Sequence, residues 1–171
     1  CDHRLQEARR FADIAHGRLV ELGQTVAVAE SLTGGLISVL LTESPGTSIT
    51  FRGGLVVYAT DVKHPVAGVR NEDLERHGPV HGLIAEQLAS GARERLSADY
   101  GIGATGVAGP GDQGGRSVGE VFVAVASPAQ VAAKRYQFDG TRSEIRMAAA
   151  AAALSDLLDV LEIATRSGDS R

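Results

Sequence analysis

With 171 residues, 43% of them hydrophobic and 22% charged, the chain has the composition of one globular domain with a substantial core and is short for two. A net charge of -4 and a pI near 5.7 supply no basic footprint for nucleic acid, no stretch reads as a membrane span, and no signal peptide is evident. The single cysteine, Cys1, excludes an internal disulfide framework and fits a reducing cytoplasm. The expectation is one cytoplasmic domain over 1–171, frayed at 1–4 and 165–171, with neither a nucleic-acid nor a membrane partner.

In chain order, Leu5 to Leu22 carries apolar residues at helical spacing, with Gly23 placed to end the helix. Thr25 to Ala29 is β-branched and apolar, a strand buried on both faces. Glu30-Ser31-Leu32-Thr33-Gly34-Gly35 then turns the corner into a helix from Leu36 to about Thr42. Phe51 to Tyr58 reads as a second strand, in which Gly53-Gly54 signals a bulge or a close backbone approach. Lys63 is expected in the loop beyond it, with a short helix starting at Pro65. Asn71 to His77 and Leu83 to Leu96 read as helices, and Ile102 to Thr105 as a third strand. The glycine-rich loop 106–115 follows, too long for a simple turn. Val118 to Ala126 and Val131 to Phe138 form an antiparallel hairpin, and a helix from Ser143 to Ile163 closes the chain. Helix-separated strands pair in parallel, so the predicted fold is a three-layer α/β/α sandwich with a mixed, mostly parallel five-stranded sheet.

Two suggestive patterns lack the context they need. Gly101-Ile102-Gly103-Ala104-Thr105-Gly106 spells a dinucleotide fingerprint, but its glycines lie in a strand and do not open a helix. His77 and His81 have the spacing of a helical metal pair, yet Gly78-Pro79 breaks the helix between them, so solvated or capping histidines are the simpler reading. No metal and no cofactor is expected.

The corner at Ser31 has two readings. Ser31 or Thr33 caps the helix while the glycines allow close packing; or Ser31 is a nucleophile at the carboxyl end of a strand, where ligand crevices open in α/β folds. Lys63 is likewise either a solvated loop lysine or, at the same end of the sheet, a base whose pKa a closed site lowers. Tyr58, nearby, is placed to orient it.

Taken together, Ala29-Glu30-Ser31-Leu32-Thr33-Gly34-Gly35, Tyr58-Ala59-Thr60-Asp61-Val62-Lys63, Thr105-Gly106-Val107-Ala108-Gly109-Pro110, Val118-Gly119-Glu120-Val121 and Gly140-Thr141-Arg142-Ser143-Glu144-Ile145-Arg146 resemble the CinA C-terminal domain family, in the family's order, from about Val20 to Leu161. The resemblance implies a nicotinamide-nucleotide amidase that converts nicotinamide mononucleotide to nicotinate mononucleotide and ammonia in pyridine nucleotide salvage. It implies Ser31 as nucleophile, Lys63 as its base and Tyr58 as their hydrogen-bonding partner. Thr33, Gly34, Gly35, Thr105, Gly106, Gly109 and Arg142 would bind the substrate, with the helix N–H groups after Ser31 or the Arg142 charge meeting an anion. It further implies self-association into a homo-oligomer. Leu32, Thr60, His81 and Pro65 depart from the family pattern and put the exact substrate in doubt. Many members carry a further N-terminal domain, and this sequence is read as a stand-alone form. The alternative function is a catalytically silent binding or assembly module connected with competence or DNA damage.

Overall fold

The structure, a computed structural model, describes residues 2–168. The chain runs through α1 (Asp2–Leu22), β1 (Val26–Glu30), α2 (Leu36–Thr42), a single 3-10 turn (Thr47–Ile49), β2 (Phe51–Val56), α3 (Lys63–Ala67), α4 (Asn71–His77), α5 (Gly82–Arg95), β3 (Tyr100–Gly106), β4 (Glu120–Ala126), β5 (Val131–Gln137) and α6 (Arg142–Gly168). Residues 2–4 and 165–168, expected to fray, belong to the two terminal helices; Cys1 and 169–171 lie outside the described residues. The strands form one sheet in the order β2-β1-β3-β4-β5. β1 pairs in parallel with β2 and with β3, whereas β4 pairs antiparallel with β3 and with β5. Four of the five strands therefore run the same way, with β4 opposed.

Alternation along β1 divides the core. Val26 and Val28 face α1, α2 and α6, where Leu19, Ile37, Leu40, Leu154 and Leu157 fill the larger cluster. Ala27 and Ala29 face Ile84 and Leu88 of α5 and the α3 residue Ala67. A strand buried on both sides needs helices on both sides, and this is the three-layer sandwich the strand and helix order demands.

The glycines flagged in the sequence have packing duties. β2 skips a register position at Arg52 on its way along β1, which is the bulge expected at Gly53-Gly54. A Cβ on Gly54 would collide with the Ser38 hydroxyl of α2. In the dinucleotide-like string, a Cβ on Gly101 or Gly103 would strike the Ala89 or Ala85 carbonyl, so those glycines let β3 lie against α5.

Two boundaries differ from the sequence reading. Lys63 opens α3; the helix does not wait for Pro65. A proline in the first turn sacrifices no helical hydrogen bond, because the first N–H groups have no partner within the helix. The second strand ends at Val56, so Tyr58 lies two residues past the ladder, on the way to that helix.

Candidate active site

β1 and β2 lie side by side, and their connections leave on opposite faces of the sheet, to α2 and to α3. Such a divergence opens a crevice at the carboxyl ends of the strands. Ser31 and Val57 each sit one residue beyond the last ladder pair, Glu30 with Val56. The Ser31 N–H donates to the Ala104 carbonyl of β3 at 2.9 Å, and the Val57 N–H to the Glu30 carbonyl at 2.8 Å. Both backbones are thereby fixed to the sheet.

Lys63 folds back into this crevice from the first turn of α3 and is 1% exposed. Its Nζ lies 2.7 Å from the Val57 carbonyl oxygen, 3.2 Å from that of Tyr58 and 3.1 Å from Ser31 Oγ. Carbonyl oxygens only accept, so two N–H bonds of Lys63 are committed to the main chain. In the neutral amine the third position is a lone pair that can accept from the Ser31 hydroxyl at 3.1 Å, with the Ala59 carbonyl, at 3.5 Å, the other neighbour. Burial pulls the Lys63 pKa down from 10.5 to about 8, against the opposing pull of the Asp61 charge. The amine form is thereby far more accessible near neutral pH than it is for a solvated lysine. Ser31 is 8% exposed and lines the cavity.

The cavity holds about 100 Å³ and is lined by Ser31, Leu32, Tyr58, Lys63, Thr105 and Arg142, among others. Larger grooves occur elsewhere, one of about 480 Å³ beside β5 and α6. The small one is where Ser31 and Lys63 meet.

The other site residues fall into place unevenly. Tyr58 is 56% exposed, and its hydroxyl accepts from Arg142 Nη2 at 2.6 Å. It meets Lys63 through its main-chain carbonyl, so Tyr58 is a hydrogen-bonding partner of Lys63 by its backbone while its hydroxyl goes to Arg142. Arg142 opens α6 behind a capping box: the Glu144 carboxylate accepts both the N–H and the hydroxyl of Thr141 at 2.8 Å. From there Arg142 also donates to the Gly109 carbonyl, joining the glycine-rich loop to Tyr58 across the cavity mouth. Thr105 is buried and spends its hydroxyl on the Pro79 carbonyl at 2.7 Å; Gly106 and Gly109 form wall and rim.

The expectation for Gly34 and Gly35 needs correction. The start of α2 is already occupied by an anion from the protein itself. The fully buried Glu30 carboxylate accepts from Gly35 N (3.1 Å), Ile37 N (3.0 Å), Ser38 N (2.9 Å) and Ser38 Oγ (2.7 Å). Gly34 N donates to the Ser31 carbonyl. Gly34 and Gly35 serve the turn, with φ of +58° and +101°, and their N–H groups are not free for a substrate. Glu30 had a signal in the sequence: alternation puts it on the face of Val26 and Val28, toward α2. Arg146, on α6, also went unassigned; its Nε and Nη2 lie 2.9 Å from the Leu32 and Thr33 carbonyls. His81 caps α5, its Nδ1 accepting the Leu83 N–H at 3.1 Å, and its ring stacks on His77 at 4.3 Å. That is the capping alternative to a metal pair.

Fold and site together define an α/β sandwich with a buried serine–lysine pair at the strand ends. The family model for the CinA C-terminal domain matches residues 8–161. The chain is 47% identical over 135 residues to a CinA-like protein of Acidobacterium capsulatum and 44% identical over 134 residues to one of Thermosynechococcus vestitus; each match covers 77% of this chain and 32% of the relative. Among solved structures, the competence/damage inducible protein CihA from Agrobacterium tumefaciens superposes with a TM-score of 0.86 at 35% identity, over 91% of this chain and 96% of that one. The competence or damage-inducible protein from Enterobacter asburiae gives 0.87 at 30% identity, over 90% and 98%. The chain belongs to the CinA C-terminal domain family, and it spans about a third of the length of the curated relatives it matches.

Proposed function

We propose that this domain is an amidase acting on a nicotinamide mononucleotide-like substrate through an acyl-enzyme on Ser31. The observation that carries the reading is Lys63: a buried lysine with its pKa lowered to about 8, two N–H bonds held by carbonyls, and Ser31 Oγ at 3.1 Å. A merely structural lysine would bring its own counter-charge into the interior.

The neutral amine of Lys63 takes the Ser31 proton as Oγ attacks the amide carbon. A C–O bond forms and the carbonyl electron pair moves onto oxygen. When that pair returns, the C–N bond breaks and the departing nitrogen takes the proton from Lys63, leaving as ammonia. Water then attacks the ester, giving its proton to Lys63. Collapse of the second intermediate breaks the Oγ–C bond, and Ser31 recovers its proton from Lys63. The sum is amide plus water to carboxylic acid plus ammonia. The cavity of about 100 Å³ suits a carboxamide and part of a ring. Arg142 stands at the mouth with two donors spent on the protein and further N–H groups for an anionic tail such as a phosphate.

The test is ammonia release from nicotinamide mononucleotide by the purified protein, beside Ser31→Ala and Lys63→Ala. Activity in the wild type and its loss in both folded variants supports the reading. A silent wild type whose melting temperature still rises with the nucleotide points to the binding module, and sedimentation with and without nucleotide tests the proposed self-association.

A further inference from the structure

The main-chain hydrogen bonds of the Ser31 turn can be accounted for one by one. Ser31 N goes to the Ala104 carbonyl, Gly34 N to the Ser31 carbonyl, Leu36 N to the Thr33 carbonyl and Val39 N to the Gly35 carbonyl. Gly35, Ile37 and Ser38 N–H go to Glu30. Among the described residues, two N–H groups of the stretch 31–39 that precede Val39 find no acceptor: those of Leu32 and Thr33, directly after the nucleophile. Both residues are buried, and Leu32 lines the cavity. Thr33 adds a separate unspent donor, its Oγ1 being buried without a hydrogen-bond partner among the described residues. Buried donors left open beside a nucleophile are costly unless something accepts from them.

Arg146 and the turn's own Gly34–Ser31 hydrogen bond set their directions. In a planar trans peptide the C=O of one residue and the N–H of the next point opposite ways, and the peptides of this turn are trans. Arg146 Nε holds the Leu32 carbonyl, so the Thr33 N–H faces away from Arg146. Arg146 Nη2 holds the Thr33 carbonyl. The Ser31 carbonyl, engaged by Gly34 N, turns the Leu32 N–H the other way. A guanidinium presenting two donors in a fixed plane suits two successive carbonyls as a lysine does not.

We propose that Arg146 is a positioning residue that aims the Thr33 amide, beside the Leu32 amide set by the turn's own Gly34–Ser31 bond, at the oxyanion formed when Ser31 attacks its substrate. The proposal rests on the acyl-enzyme reading above. It assigns the oxyanion to the turn and leaves Arg142 to the substrate's anionic end. Arg146 acts through the backbone and touches neither Lys63 nor Ser31 Oγ, so its loss slows attack without altering the titration of Lys63.

The experiment compares wild type, Arg146→Met and Arg146→Lys in two assays: ammonia release from nicotinamide mononucleotide, and the rate of covalent labelling by a fluorophosphonate. In the labelling the Ser31 Oγ–P bond forms, fluoride leaves and the serine proton passes to Lys63, so it reads attack at Ser31 whatever the natural substrate is. For Arg146→Met, kcat and the labelling rate should fall together by roughly 10- to 100-fold, less than the full loss of an oxyanion donor. KM should stay within about 3-fold and the acid-side midpoint near pH 8 unchanged. Arg146→Lys, able to hold one carbonyl, should fall between the two. Labelling of a folded Arg146→Met within about 3-fold of wild type, a loss confined to KM, or a moved midpoint would each overturn the proposal. Should Arg146→Met fail to fold, Arg146→Lys decides, and labelling equal to wild type overturns it. A wild type that labels at Ser31 but releases no ammonia defeats the amidase reading alone, and the labelling ratio still judges Arg146. A wild type that does not label defeats the Arg146 proposal.

Discussion

Two lysines are drawn against the body of this protein, and they keep opposite company. Lys134 on β5 meets carboxylates, with Nζ 2.6 Å from Asp156 Oδ1 and 3.0 Å from Asp159 Oδ2. Tyr136 donates to the same buried Asp156. The hydrogen bond to Asp156 holds the Lys134 pKa above its ordinary value, and burial together with Asp156 pushes the Tyr136 hydroxyl up to about 12. Lys63 meets carbonyl oxygens and a serine hydroxyl, and its pKa falls. A lysine packed with its counter-charge remains a cation and ties β5 to α6. One buried against carbonyls, with no carboxylate hydrogen-bonded to it, holds its proton less tightly than an ordinary lysine, which is a property chemistry can use.

The sharpest way to break the comparison is to remove each lysine. Lys63→Met and Ser31→Ala should each lower turnover by at least roughly 10,000-fold while circular dichroism stays that of the wild type. Lys134→Met should leave turnover near the wild-type level. The stability profiles should differ as well. The folded pKa of Lys63, about 8, lies below the ordinary 10.5, so between these values the unfolded chain binds more protons and stability rises with pH. Wild type should therefore gain about 3 kcal/mol relative to Lys63→Met across that window. Urea titrations at its two ends measure this; a flat difference would mean that Lys63 is not desolvated.

Glu30→Gln comes next. It removes the charge that four donors at the start of α2 point toward and turns an amide NH₂ on some of them. The cost should be about 3 kcal/mol of stability, with turnover falling because Ser31 is the next residue. Asp156→Ala should cost less, about 2 kcal/mol, since the Lys134 it releases is half exposed and readily solvated. Turnover at the distant Ser31 should be unaffected. Chemical denaturation and ammonia release, measured on both variants, check the ranking.

Much of this architecture was legible because it depends on local pattern. Period two along β1, helical spacing in α1, α5 and α6, and the glycine-marked corners lead to the element order, and parallel pairing then brings Ser31 and Lys63 to one end of the sheet. What pattern could not reveal was how side chains spend their hydrogen bonds. The helix start at Gly34-Gly35 reads as an anion site until Glu30, five residues back, is found filling it. Tyr58 and Lys63 are close in sequence, yet the Tyr58 hydroxyl goes to Arg142, 84 residues away. The carbonyls of Leu32 and Thr33 are held from α6 by Arg146. Each of these turns on a long side chain reaching between elements, and neither periodicity nor spacing encodes that reach.

The smallest expected effect tests the cause of the Lys63 shift most directly. Desolvation lowers its pKa and the Asp61 charge raises it, so about 8 is the balance of the two. The base form grows as pH rises, so kcat/KM should climb on the acid side with unit slope and level off above a midpoint near pH 8. Asp61→Asn removes the opposing charge and leaves the burial. Its midpoint should therefore move down by a few tenths of a unit, with more activity at neutral pH and the same plateau. An upward shift would mean that Asp61 does not act on Lys63 as a charge. A drop in plateau would instead place Asp61 in the reaction, and the contrast between the two lysines would then need a carboxylate on both sides.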